Sequence, residues 1–110
     1  MTEERLRRIA ANESRFRQIN ERLEEDLRRL PVDGEPVTFV CECGQLSCVD
    51  PVPLTIDEFE RVRQDPHLFA IVPGHEIPDA EDVVAREERF FVVRKHVETE
   101  ELVEETDARS

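Results

Sequence analysis

Three cysteines fall within eight residues, Cys41-Glu42-Cys43-Gly44-Gln45-Leu46-Ser47-Cys48, and the 110-residue chain has no others. The spacing, C-x-C-x4-C, lets three thiols converge on one point if the chain turns, and Gly44 is where a sharp turn meets least steric resistance. Three cysteines cannot all pair with one another, so a disulfide framework is a poor reading. Metal ligation, redox chemistry and inert burial remain, since free cysteine is among the most buried residue types. The spacing favours ligation, and zinc is the expected ion: a structural zinc site takes four tetrahedral ligands from thiolates and imidazoles.

The local sequence supplies only three such ligands. His75 is the best fourth, because Pro73-Gly74 puts it in a turn just after an apolar strand expected to lie beside the strand that carries Phe39. His67, at a helix end, and His96, near the start of the acidic tail, are weaker choices. Glu42 and Glu76 flank the ligands. As water-activating bases they would need an open metal position, and solvated charge is the expected role in so acidic a chain. No H-E-x-x-H, P-loop, G-x-G-x-x-G or nucleophile elbow occurs. An energetic reason also points to a metal. The compact part is about 60 residues, a size at which burial alone gives marginal stability, and structural zinc contributes an apparent ~10–16 kcal/mol in small peptides.

Residues 2–30 contain no Gly or Pro and are rich in Ala, Leu, Glu, Arg and Gln, which predicts one long helix. Leu6, Ile9, Phe16, Leu23, Leu27 and Leu30 fall on alternating three- and four-residue steps, with Glu13 and Asn20 at the two remaining seam positions. Such a stripe is buried either against the rest of the chain or against a second copy. Pro31 and Gly34 end the helix. From Pro36 the pattern becomes β. Strands are expected at 37–41, 52–54, 68–72, 83–86 and 90–95, the last two as a hairpin around Glu87-Glu88-Arg89. Thr55-Ile56-Asp57-Glu58 is a capping box opening a helix to about Gln64 that buries Ile56, Phe59 and Val62. Pro78 to Glu81 reads as a single helical turn.

The net charge of −12 argues against unaided binding to nucleic-acid phosphates or anionic lipid. It is unevenly placed: residues 1–30 carry eight Arg against seven acids, whereas 31–110 carry twenty acids against seven bases. The near-neutral segment can meet a partner, or its own copy, without strong repulsion. No apolar run approaches the ~20 residues that span a bilayer, and the charged start MTEERLRR lacks the apolar stretch of a signal peptide, so a cytoplasmic location is expected.

The joint pattern Asn12-Glu13, Phe16-Arg17, Asn20-Glu21-Arg22, Phe39-Val40-Cys41-Glu42-Cys43, Cys48, Leu54-Thr55, Glu58, Val62-Arg63, Pro73-Gly74-His75-Glu76 and Val92-Val93 resembles a group of short, uncharacterised actinobacterial proteins. The likeness covers most of the chain. It implies that the helix, the cysteine cluster and the PGHE turn form one unit, and it implies no activity.

These readings give an α+β fold. A helical, candidate dimerising segment (1–30) precedes a small metal-stabilised domain (36–96), an antiparallel sheet with one helix and a Cys3His site of Cys41, Cys43, Cys48 and His75; an acidic tail (97–110) follows. The expected function is a non-enzymatic interaction or regulatory module stabilised by structural zinc. Its partner would be a protein or a second copy met through the helix, with no direct contact to nucleic acid or membrane. A thiol-based redox or metal sensor is the alternative, followed by a small zinc hydrolase.

Overall fold

The computed structural model describes residues 3–31, 34–45 and 48–96. Helix α1 spans Glu3–Leu27, with Glu3 and Glu4 in its first turn, where the helix dipole favours negative charge. Strands β1 (Val37–Val40) and β2 (Pro51–Leu54) pair antiparallel, Val37 opposite Leu54 and Val40 opposite Pro51, and the cysteine loop connects them. Pro51 and Pro53 carry no N–H, which confines β2 to a sheet edge. Helix α2 (Ile56–Arg63) opens on the expected capping box: Glu58 N–H donates to Thr55 Oγ1 at 3.1 Å, and Thr55 N–H donates to Glu58 Oε1 at 2.8 Å. Strands β3 (Leu68–Ile71), β4 (Glu81–Arg86) and β5 (Phe91–Lys95) form a second antiparallel sheet in the order β3-β5-β4.

Among the described residues there are thus two small sheets where the sequence suggested one, and β1 does not pair with β3. The two meet just beyond β1, where Glu42 N–H donates to Ala70 O at 2.9 Å. Pro78 to Ala80 form turns rather than a helical turn, and Glu81 already begins β4. A bulge at Val84 leaves that side chain exposed on the edge strand.

Alternation along β3 and β5 divides the core. Phe69, Ile71 and Val93 face a cluster with Ala10, Cys41, Cys43 and Cys48, whereas Ala70 and Val92 face one with Phe39, Val52, Leu54, Phe59, Val62 and Phe90. Within the second cluster Phe39 stacks on Phe59, with ring centroids 4.5 Å apart. Arg89 closes this end of the fold by donating to both carboxylate oxygens of Glu58 and to Pro53 O.

Helix α1 lies across the first cluster. Of the expected apolar seam, Ile9 and Phe16 are buried, Leu6, Leu23 and Leu27 are half-buried, and Leu30 is exposed. The polar seam positions Glu13 and Asn20 are more deeply buried than any of them, each at 0% exposure, beside Arg17 and Glu24. The face turned inward is therefore largely polar, and hydrogen bonds and ion pairs dock it. Arg63 of α2 adds an ion pair to Glu21.

Candidate metal centre

The cysteine loop leaves β1 in extended backbone, so Cys41 and Cys43 point to one side and Glu42 to the other. Glu42, expected as solvated charge, is fully buried: Oε1 accepts from Ala70 N–H at 3.0 Å, and Oε2 accepts from Asn20 Nδ2 at 2.9 Å. Asn20 also donates to Val40 O and accepts from Val40 N–H, which grips the backbone directly before Cys41. Cys41 N–H donates to Asp50 O at 2.8 Å, and Cys48 N–H donates to Gln45 O at 3.1 Å, so the loop closes and brings Cys48 back to the others.

Gly44 has a role the sequence did not reveal. Its backbone is not left-handed, so the turn itself does not require glycine. A Cβ at this position would stand 2.4 Å from Ile9 Cγ2. Gly44 is needed because α1 lies directly on the loop, and Asn12 Nδ2 donating to Gln45 O at 3.2 Å fastens that contact.

His75 arrives from the end of β3. Gly74 has φ +92°, and His75 N–H donates to Val72 O at 3.0 Å, the pattern of a turn with Pro73 and Gly74 at its centre. Val72 N–H donates to Cys41 Sγ at 3.2 Å, so the same segment supports a thiolate and delivers the imidazole. His75 Nδ1 lies 3.6 Å from Cys41 Sγ and 3.5 Å from Cys48 Sγ. Asp50 Oδ2 stands 3.7 Å from Nε2, within ion-pair reach but too far for a hydrogen bond. His67 and His96 instead lie against Asp65 and Asp82.

One ligand atom each from Cys41, Cys43, Cys48 and His75 lies within 4.8 Å of all the others. This is a Cys3His cluster able to hold a metal ion. No match exists for this chain among protein-family models, curated proteins or solved structures. The chemistry therefore rests on the residues. Cys41 and Cys43 are wholly buried and Cys48 nearly so. Thiol hydrogen bonding from Cys41, with help from Gln45 N–H, His75 and Cys48, lowers the Cys43 thiol to about 5, against the opposing effect of burial. The Cys41 thiol moves up, because it gives its hydrogen bond to Cys43 and is buried; burial also raises Cys48. A divalent ion compensates the charge of several thiolates at once, which is what thiolate ligation requires.

A second group escaped the sequence reading. Lys95, the only lysine of the chain, ion-pairs with both Glu13 and Glu81, and all three are buried. Burial, only partly offset by Lys95, raises the Glu13 carboxyl to about 8. Arg17, also buried, lays its guanidinium 3.5 Å above the Phe69 ring and donates to Pro66 O. A polar residue in an apolar seam was the one available signal, and both Glu13 and Asn20 carried it.

Proposed function

We propose that this chain is a non-enzymatic, metal-stabilised interaction or regulatory module, held in shape by one structural zinc ion on Cys41, Cys43, Cys48 and His75. The observation that carries the reading is the donor geometry. Zinc–sulfur and zinc–nitrogen bonds of ordinary length at a tetrahedral angle set sulfur and nitrogen roughly 3.6 Å apart. The two sulfur–nitrogen distances given above, 3.6 and 3.5 Å, agree with that figure before any ion is added. Four protein donors also complete the tetrahedron and leave no position for a substrate or an activated water, which disfavours a hydrolase. Glu42 is unsuited to act as a base there, since both its oxygens are engaged on the opposite side of the loop.

Thiolate ligation needs a reducing compartment, so the cytoplasm is the location this reading supports. No helix among the described residues is long and apolar enough to cross a membrane. A protein partner, or a second copy, would meet the outer face of α1, because its inner face is taken up by the cysteine loop and β5.

Cobalt(II) titration of chelator-stripped protein tests the site. The reading requires saturation at one ion per chain with the intense visible bands of a tetrahedral thiolate complex, weakened by Cys41→Ser and by His75→Ala but not by His67→Ala. Weak octahedral-type bands, or equal loss on replacing either histidine, would remove the proposed ligand set. The sensor reading predicts metal release under mild peroxide. Burial of Cys41 and Cys43 supports retention instead.

A further inference from the structure

Helix α1 supplies no ligand to the cysteine cluster, yet it holds the loop that carries three of them at three places. Asn20 donates to Val40 O at 2.7 Å and accepts from Val40 N–H at 2.8 Å, and it also donates to Glu42 Oε2 at 2.9 Å. Cys41 is therefore fixed from both sides, because the residue before it and the residue after it are bound to one side chain of the helix. Further along, Ile9 covers Gly44, where a Cβ would stand 2.4 Å from Ile9 Cγ2. Asn12 then donates to Gln45 O at 3.2 Å, the same oxygen that accepts from Cys48 N–H at 3.1 Å. These contacts bracket Cys43 and reach the hydrogen bond that returns Cys48 to the cluster. Ala10 shares a core cluster with all three cysteines.

Docking of the helix is itself finely balanced. Of its nine buried residues only Ile9, Ala10 and Phe16 are apolar, while Glu13, Arg17 and Glu24 are ionisable. Burying ion pairs adds little net stability, because desolvation offsets most of the attraction. A helix docked in this way opens more readily than one that buries an apolar face. The second core cluster is less dependent on α1. It is built from β1, β2, α2, β3, Phe90 and β5, and the helix adds only half-buried Leu23 and Leu27 to it.

We propose that α1 sets the affinity of the metal centre, with Asn12 and Asn20 as positioning residues that hold the cysteine loop in its ligating form. Docked α1 presents Cys41, Cys43 and Cys48 already converged, so the ion binds a preorganised set of donors. With the helix drawn off, the ion has to order the loop itself and is held less tightly. The coupling is reciprocal: a bound ion tightens the helix by the same factor by which the docked helix tightens the ion. A partner that takes the inner face of α1 thereby lowers metal affinity, whereas one that binds only its outer face leaves that affinity unchanged. The inference rests on the metal-module reading and adds the regulation of that site to it.

Zinc affinity of the full-length protein, from competition with a chelator of known constant, and the visible spectrum of its cobalt(II) form test this in Asn12→Ala, Asn20→Ala and Val62→Ala. Val62 belongs to the second cluster, not to the one that holds the cysteines, so its replacement controls for a general loss of stability. Removing groups that support metal ligands without touching the metal typically weakens binding by roughly 10–100-fold. Zinc binding about tenfold weaker is expected for Asn12→Ala, and weaker still for Asn20→Ala, with the cobalt bands shifted because the sulfurs converge less well. Val62→Ala should stay within about twofold of wild type and keep its spectrum, well below the change expected for a supporting group. Asn12→Ala removes a single hydrogen bond, and it decides the outcome if Asn20→Ala does not fold. Unchanged affinity and spectrum in Asn12→Ala, or an equal weakening in Val62→Ala, would overturn the proposal and leave the Cys3His ligand set standing. Wild-type protein that takes up no metal would remove the ligand set, and this inference with it.

Discussion

Ile9 of α1 packs over Gly44 so closely that a Cβ at that position would collide with it. Gly44→Ala should lower stability by about 1–3 kcal/mol, the usual cost of forcing an extra methyl into a packed site, while adding Ile9→Ala should recover part of that loss. Thermal denaturation of the two single variants and the double variant checks this, and simple additivity would mean that the contact is not made. Glu13 gives a second prediction at this scale. Its folded carboxyl titrates near 8 instead of the ordinary 4.5, so the folded chain holds a proton that the unfolded chain has released. Stability therefore falls as pH rises from about 4.5 to about 8, with a slope no steeper than ~1.4 kcal/mol per pH unit for one proton. Glu13→Gln should flatten that part of the profile. A chain whose melting temperature has the same pH dependence with glutamine at this position would refute the assignment.

At the scale of elements, α1 is fastened by polar contacts that an apolar helix would lack. Asn20 alone makes three hydrogen bonds, two to Val40 and one to Glu42. Asn20→Ala leaves a buried carboxylate and a backbone pair unsatisfied, and should cost about 2–4 kcal/mol measured by urea unfolding. Lys95→Met should cost more, ~3–5 kcal/mol, when measured above about pH 8, where Glu13 has lost its proton and the change removes the cation from a buried acidic pair; a loss under 1 kcal/mol there would mean that the ion pair is not made. The elements themselves were legible: β-branched and aromatic runs marked the strands, and Thr55 with Glu58 marked the start of α2. Their association was not. Periodicity identifies which face of a helix is buried, but it ranks Leu above Glu and Asn. The deepest polar positions of α1 are filled by Glu13, Arg17 and Asn20, which meet partners distant in sequence, Lys95, Pro66 and Val40. Likewise the segments of β1 and β3 meet just beyond β1, through two hydrogen bonds between Glu42 and Ala70 and one from Val72 to Cys41, rather than through a ladder, and no local pattern encodes that.

For the whole molecule, the cysteine cluster is the point where three parts of the chain meet. The loop between β1 and β2 carries the thiols, the turn after β3 carries His75, and α1 covers the loop through Ile9, Asn12 and Asn20. Cys41, Cys43 and Cys48 also form part of one of the two core clusters, so thiols repelling one another, or left without an ion, would loosen the packing of Ala10, Phe69, Ile71 and Val93. On the metal-module reading proposed above, metal binding and folding are for this reason one equilibrium. The measurement that tests this most directly is metal content, by elemental analysis, of protein purified without added metal, followed by its melting temperature with and without a strong chelator. The account predicts about one zinc per chain and a large loss of thermal stability when it is removed. Protein that is metal-free as purified, folded, and unchanged in melting temperature by chelator would contradict it.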